Sequence, residues 1–90
     1  MKEIRRSTQF KKDFKKYRNQ TQKVESLFTI VKYLQNDIPI PAEYKPHKLS
    51  GNYNGYLECH IEDDILLIWI DEASDVVKLV RLGSHAELFR

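Results

Sequence analysis

The sequence predicts an α+β fold, in which an N-terminal helical hairpin packs on a small antiparallel β-sheet. Three observations lead to this prediction. Apolar residues recur with helical spacing over the first third of the chain, prolines interrupt this pattern near residue 40, and strand-like apolar segments follow from residue 56 onward. Helices that precede a group of strands are typical of proteins in which the helices cover one face of a sheet.

Length and composition limit the classes of protein that this chain can represent. Its 90 residues are the size of one domain, and we expect residues 1–90 to form it. The 41% hydrophobic and 31% charged residues are typical of a folded domain. The longest apolar segment, 65–70, is too short to span a membrane, and no signal peptide is recognisable. A lone cysteine, Cys59, agrees with a reducing compartment, so we expect a cytoplasmic protein.

The first third of the chain predicts two helices joined as a hairpin. A short edge strand is expected at 2–6, after which Ser7 or Thr8 supplies a helix N-cap. The apolar stripe of the first helix, which ends near Asn19, consists of Phe10, Phe14 and Tyr17. The second helix, with Thr21 as its cap, has its stripe at Val24, Leu27, Phe28, Val31 and Leu34.

The remainder predicts a loop followed by three antiparallel strands. Pro39 and Pro41 cannot continue a helix, and the loop that they open extends to Gly55. The strands are expected at 56–61, 65–70 and 76–82, with polar turns at 62–64 and 71–75. Segment 65–70 is apolar on both faces and is therefore expected to be the central strand.

Charge is distributed unevenly along the chain. Residues 1–23 contain nine lysines and arginines against two acidic residues, whereas residues 24–90 contain six against eleven. The first helix contributes a group that we call the basic face, namely Lys11, Lys12, Lys15, Lys16 and Arg18. Such a group is typical of a surface for RNA, DNA or the ribosome, and it also suits an acidic protein partner or a solvated helix face.

Three histidines lie outside the apolar periodicity, at His47, His60 and His85. Histidine titrates near neutrality, so a pair of them can deprotonate the 2′-hydroxyl of RNA and protonate the 5′-oxygen leaving group. Arg81 is a candidate for stabilising the phosphate, and Glu58 and Asp64 are candidates for orienting a histidine. An ordinary surface role for the histidines remains the alternative.

Phe89 and Cys59 each have two competing interpretations. Phe89 either packs the chain end on the core or offers its ring to a nucleotide base. Cys59 and His60 are adjacent on a strand and face opposite ways, and the spacings of common zinc motifs are missing from the sequence. We therefore expect no metal and no cofactor, with Cys59 and Trp69 in the core.

Three segments resemble the YafQ branch of the RelE/ParE toxin superfamily. They are 41–51 (PAEYKPHKLSG), 55–61 (GYLECHI) and 81–89 (RLGSHAELF). The last is the most specific, and the resemblance extends over essentially the whole chain. It implies a RelE-like fold and a toxin of a bacterial type II toxin–antitoxin system. Its predicted activity is that of a metal-independent mRNA endoribonuclease, which cleaves mRNA in the ribosomal A site and thereby inhibits translation.

The resemblance also implies roles for individual residues and partners. The family's catalytic set falls on His47, His60, Asp64, His85 and Phe89. Arg81 matches a basic residue that the family places beside the scissile phosphate, and Glu58 matches a position that is acidic in close relatives, so both are counted with the expected catalytic residues. The basic face and Lys48 are expected to bind 16S rRNA, and a cognate antitoxin is expected to inhibit the toxin. Three alternatives remain: a ribosome-independent RNase of the same family, a ParE-like toxin that binds gyrase without catalysis, and an RNA-binding module without enzymatic activity.

Overall fold

The structure, a computed structural model, describes residues 1–89. Its elements are β1 (Glu3–Arg6), α1 (Thr8–Tyr17), α2 (Thr21–Gln35), β2 (His47–Lys48), β3 (Leu57–Glu62), β4 (Ile65–Ala73), β5 (Val76–Ser84) and α3 (His85–Leu88). Two short 3₁₀ turns, Ala42–Tyr44 and Gly51–Tyr53, lie in the segment predicted as a loop. The predicted order of edge strand, two helices and three strands is confirmed, whereas β2, inside the predicted loop, and α3, after β5, were not predicted.

The strands form one sheet in the order β1-β5-β4-β3-β2, with the long apolar strand β4 at its centre as predicted. Neighbours from β2 to β5 are antiparallel, whereas β1 pairs with β5 in parallel. A parallel pair needs a long connection between its strands, and the helical hairpin provides part of it. The three predicted antiparallel strands are thus confirmed, and β1 is the expected edge strand, although its pairing with β5 is parallel.

The start of α1 is as predicted, and that of α2 differs by one residue. The Ser7 hydroxyl accepts a hydrogen bond from the backbone N–H of Phe10 at 2.9 Å, which satisfies one of the free donors at the start of α1. Thr21 is the first residue of α2, and Gln20 occupies the cap position without a side-chain hydrogen bond. The expected Thr21 cap is therefore wrong.

Both helices pack on one face of the sheet and form the main core. The buried members of this core are Phe10, Leu27, Ile30, Cys59, Ile61, Ile65, Leu67, Trp69, Val77, Leu79 and Leu82. Phe28, which was expected in the stripe of α2, is 54% exposed, because Leu27 and Ile30 occupy the direction that faces the sheet. Cys59 and Trp69 lie in the core, as predicted.

The strand boundaries extend beyond the predicted segments. Glu62 still belongs to β3, so the first turn consists of Asp63 and Asp64. β4 continues to Ala73 and β5 to Ser84, because their backbones keep pairing beyond the apolar residues, with irregularities in register at two places. The polar turn expected at 71–75 is thereby reduced to Ser74 and Asp75.

The opposite face of the sheet is covered only in part, and we call it the site face. Leu66, Ile68 and Leu88 are its buried apolar residues, and Leu49, Tyr53, Tyr56, Val80 and Phe89 pack around them. These residues come from β4, β5, α3 and the segment between β2 and β3. None of the helices in residues 1–89 is long and apolar enough to cross a membrane.

Candidate active site

Strand pairing brings three predicted site residues onto the site face in one row. His47 pairs with Glu58, Glu58 with Ile68, and Ile68 with Arg81, so that one row crosses β2, β3, β4 and β5. Residues directly opposite each other on neighbouring strands point to the same face. His47, Glu58 and Arg81 therefore share that face, although 34 residues separate the first from the last.

A second row lies two residues nearer to the C-terminal end of β5. His60 pairs with Leu66, and Leu66 pairs with Gly83. A Cβ atom at Gly83 would lie 2.9 Å from the Glu87 side chain and 3.3 Å from that of Leu88, so glycine lets α3 pack directly on the strand. Because neighbouring strands are roughly 4.8 Å apart, the Cα atoms of His60 and Gly83 are separated by roughly 10 Å.

α3 places His85 and Phe89 next to each other at this end of the sheet. Ser84 and Glu87 form a capping box, in which the Ser84 hydroxyl accepts from the Glu87 N–H at 3.2 Å and the Ser84 N–H donates to Glu87 at 2.8 Å. The His85 and Phe89 rings have centroids 5.0 Å apart, and Phe89 meets Tyr53 edge to face at 5.5 Å. His85 itself is exposed.

Glu87 also fastens this segment to α1. Its carboxylate accepts a hydrogen bond from the Tyr17 hydroxyl, and Lys16 Nζ lies 3.5 Å from Glu87 Oε2. The hydrogen bonds from Tyr17 and from the Ser84 backbone lower the pKa of Glu87 to about 2. Burial and the same carboxylate raise the pKa of Tyr17 to about 12. The segment that bears His85 and Phe89 is therefore anchored to the helix of the basic face.

Arg81 is held by a buried acid on α1. Asp13, which is 2% exposed, accepts from Arg81 Nε at 2.8 Å and from the Leu82 backbone N–H at 3.0 Å. Burial raises the pKa of Asp13, but the hydrogen bonds from Arg81, Leu82 and Gln9 outweigh it and lower the pKa below its usual value. The Asp13 hydrogen bond raises the pKa of Arg81, and the neighbouring Tyr53 adds to that effect. The guanidinium is thus a fixed, fully charged cation.

His47 and Glu58 form a pair at the end of the first row that lies farthest from Arg81. His47 Nε2 lies 3.1 Å from Glu58 Oε1, and its Nδ1 lies 2.9 Å from the Lys45 carbonyl oxygen. Both ring nitrogens therefore have oxygen partners. The other carboxylate oxygen, Glu58 Oε2, is buried and has no hydrogen-bond partner among residues 1–89. This geometry suits a histidine that positions a carboxylate better than one that transfers protons.

His60 is arranged differently from His47. Its Nδ1 lies 3.3 Å from the backbone carbonyl oxygen of Asp63, in the turn that follows β3. A carbonyl accepts only, so Nδ1 carries the hydrogen in this contact and Nε2 is left for proton transfer. Asp64 is exposed at the tip of the same turn, and no hydrogen bond joins it to His60 in the described part of the chain. The expected pairing of His60 with Asp64 is replaced by the Asp63 carbonyl.

The basic face is exposed along α1. All five of its members and Lys48 on β2 lie at the surface. Among residues 1–89, Lys16 is the member that forms an ion pair, with Glu87. Since that contact also anchors α3, the basic face extends up to the segment that carries His85.

Neither metal binding nor thiol chemistry has a suitable arrangement in residues 1–89. Within this range, no three His, Cys, Asp or Glu side chains are close enough together to hold a metal ion. Cys59 is fully buried on the helix side of the sheet, and burial raises the pKa of its thiol to about 12. A thiolate nucleophile at this position is therefore unfavourable.

Sequence reasoning missed three residues that shape the site: Asp13, Tyr53 and Glu87. Asp13 had a recognisable signal, because an acid at i+3 from Phe10 interrupts the apolar stripe of a lysine-rich helix. Glu87 also had one, since Ser84 and Glu87 have the spacing of a capping box. Tyr53 had none, because its position depends on contacts between distant segments.

Comparisons with known proteins place this geometry in a family context. The family described as "Bacterial toxin of type II toxin-antitoxin system, YafQ" matches residues 2–90. The chain is 36% identical over 90 residues to the mRNA interferase toxin YafQ of Escherichia coli (strain K12), covering 97% of this chain and 95% of that protein.

Solved structures show the same likeness in three dimensions. The crystal structure of YafQ from E. coli strain BL21(DE3) superposes with a TM-score of 0.88 at 32% identity, and each chain is covered completely. The toxin in the E. coli DinJ–YafQ complex gives a TM-score of 0.86 at 33% identity over the full length of both chains. A metal-bound toxin from Helicobacter pylori gives 0.87 at 36% identity, covering 99% of this chain and 100% of that one.

Proposed function

Because this chain belongs to the YafQ family of bacterial type II toxin–antitoxin toxins, we propose that it is an mRNA interferase, an endoribonuclease that cleaves mRNA in the ribosomal A site. The observation that carries the proposal is that His60 and Arg81 share the site face, while His85 follows directly after β5 and contacts Phe89 on that face. We propose that residues 1–90 act as one domain. Because ribosomes are its proposed place of action, we propose that the toxin acts in the cytoplasm.

The proposed reaction uses the RNA's own 2′-hydroxyl. One histidine of the pair His60 and His85 takes the 2′-OH proton while the 2′-oxygen bonds to the neighbouring phosphorus. The bond from phosphorus to the 5′-oxygen breaks, and the other histidine gives a proton to that oxygen. The products are a 2′,3′-cyclic phosphate and a free 5′-hydroxyl, so no water and no metal is consumed or required.

The remaining residues of the predicted set support these two histidines. Arg81 lies in the neighbouring row and stabilises the negative charge that develops on the phosphorane. Phe89 stacks on a base of the mRNA, since its ring is beside His85. His47 and Glu58 position one another, and Asp64 adds negative charge at the turn after His60.

The basic face and Lys48 are proposed to hold 16S rRNA. Their exposed cations would release counterions from the RNA phosphates, which makes binding strongly dependent on salt. A cognate antitoxin is the proposed protein partner, and the likeness to the toxin of the DinJ–YafQ complex supports it. An acidic or extended antitoxin segment across the same cations would compete directly with RNA.

Primer extension on an mRNA in a reconstituted translation reaction tests this function. Reactions with and without ribosomes compare the parent chain with His85→Ala, whose folding is checked by circular dichroism. We expect cuts only with ribosomes, and a loss of at least about a hundredfold in the variant. Cuts in naked RNA would favour the ribosome-independent RNase, and no cuts in either reaction would direct attention to gyrase. Normal cleavage by a folded His85→Ala chain would refute the acid–base assignment.

A further inference from the structure

We propose that the turn Gly51–Tyr53 and Phe89 form a nucleobase site, and that Asn52 selects the mRNA base that enters it. The proposal rests on the proposed function, because it names the part of the mRNA that binds beside His85. Ser50, Asn52, Tyr53, Leu88 and Phe89 line an open cleft of about 440 Å³ on the site face. This volume lies within the range of clefts that bind small ligands.

Two aromatic rings form the floor of the cleft. Tyr53 and Phe89 meet edge to face, with centroids 5.5 Å apart and an interplanar angle of 76°. The Tyr56 ring lies 5.8 Å from that of Tyr53, and these rings pack against the buried Leu88. Rings that are fixed by neighbours offer a stacking surface without a large loss of side-chain entropy.

The rim of the cleft is polar and is built from the turn. Ser50 precedes the turn but its side chain does not cap it, which leaves the hydroxyl for a ligand. Asn52 is exposed, and its amide presents a donor and an acceptor side by side. Such a pair matches the edge of a base, and bidentate contacts of this kind discriminate between bases. Gly51, with φ of +66°, fixes the turn through the backbone, so the Asn52 side chain is not needed to form it.

The surroundings of the cleft fit a nucleotide rather than an apolar ligand. Tyr53 lines the cleft and also neighbours the Arg81 guanidinium. Phe89 lines the cleft and also contacts the His85 ring. A base in the cleft would therefore lie near a cation that can bind its phosphate and near a histidine that can reach its ribose oxygen. Base selection and proton transfer would then act on the same stretch of mRNA.

Nuclear magnetic resonance tests this site independently of cleavage. The ¹⁵N-labelled chain is titrated with each of the four nucleoside 5′-monophosphates, and the side-chain NH₂ signals of Asn52 and Asn54 are followed. Asn54 is exposed in the same loop but does not line the cleft, so it is an internal control. We expect one base to shift the Asn52 signal more than the others do, and Asn54 to stay unchanged. Equal shifts with all four nucleotides, or shifts centred elsewhere, would overturn the proposal.

Cleavage-site sequencing gives the second test, with Asn52→Ala and the matched variant Asn54→Ala. We expect Asn52→Ala to reduce the base preference at one mRNA position by roughly tenfold, while the total cleavage rate changes less and Asn54→Ala keeps the parent profile. Unchanged preference in Asn52→Ala with normal cleavage would refute base selection and leave the interferase function intact. Base-specific shifts of Asn52 in a chain that cleaves no mRNA would refute the function and retain the nucleobase site.

Discussion

The buried Asp13 on the first helix and the partly exposed Arg81 on the last strand form an ion pair between distant parts of the chain. The carboxylate binds Arg81 Nε at 2.8 Å and a terminal guanidinium nitrogen at 3.4 Å. The same carboxylate also accepts a hydrogen bond from the Leu82 backbone N–H, so it holds both the Arg81 side chain and the backbone of β5. A guanidinium has five N–H donors in a rigid plane, and Asp13 therefore determines which of them remain for a phosphate.

Asp13→Asn is expected to slow mRNA cleavage by about tenfold to a hundredfold, because the neutral amide no longer orients the guanidinium toward the phosphate. In an Arg81→Gln background the same change should have no further effect on the rate, since Asp13 acts through Arg81. Single-turnover rates of the four chains check this at a temperature where urea titration shows all of them folded. Asp71→Asn, at an exposed position of β4, is the control. Equal losses in both backgrounds would show that Asp13 acts on the fold alone.

Glu87 is expected to make stability depend on pH in the acidic range. Its pKa is lowered from the ordinary 4.5 to about 2 in the folded chain. As pH falls, the unfolded chain therefore takes up a proton at Glu87 at a higher pH than the folded chain does. The stability contributed by Glu87 is complete above its ordinary pKa and is lost as pH falls toward about 2. Urea titrations between neutral pH and pH 2 should show a shallower decline for Glu87→Gln than for the parent. Glu25→Gln, at an exposed position of α2, should decline like the parent; a parallel decline of Glu87→Gln would contradict the assignment.

Removal of the His47 ring should destabilise the chain although the side chain is 46% exposed. His47→Ala leaves the buried Glu58 carboxylate without its partner, which costs about 1 to 3 kcal/mol of unfolding free energy. Adding Glu58→Leu removes the unpartnered carboxylate and should recover most of the lost unfolding free energy. Chemical denaturation measures the three chains, with Lys48→Ala at the next, exposed position as control. A stable His47→Ala chain would show that solvent satisfies Glu58.

The basic face should determine how strongly ribosome binding responds to salt. Lys11→Gln and Lys12→Gln should each reduce the slope of log affinity against log salt by about one, because one fewer counterion is released. Ribosome binding at several salt concentrations measures the slope. Lys32→Gln, at an exposed position of α2, should keep the parent slope. Equal slopes for all four chains would exclude the basic face from RNA binding.

The sequence predicted those features that depend on local pattern. Helical spacing located α1 and α2, the Ser7 cap follows from residue type, and continuous apolarity placed 65–70 at the centre of the sheet. The alternation in β3 correctly separated Cys59, in the core, from Glu58 and His60 on the other face. Each of these signals lies within a few residues of the element that it predicts.

Features that depend on distant partners were not predictable in this way. β2 has two residues, too few for a periodic pattern, and its pairing depends on where the preceding loop returns to β3. The partners of Asp13 and Glu87 lie about 70 positions away, and local pattern does not state which charge meets which. The exposure of Phe28 likewise follows from the orientation of α2 on the sheet.

The anchoring of the last strand to the first helix has a consequence for how the chain folds. Ser7 and Val80, Tyr17 and Glu87, and Asp13 and Arg81 are hydrogen-bonded across 73, 70 and 68 positions. Contacts of such separation form slowly, because a long loop must close before they contribute energy. The meander of β3, β4 and β5 can therefore assemble first, and the site gains its final geometry only when α1 docks. Variants that loosen α1 should delay the appearance of activity during refolding more than the appearance of β-structure.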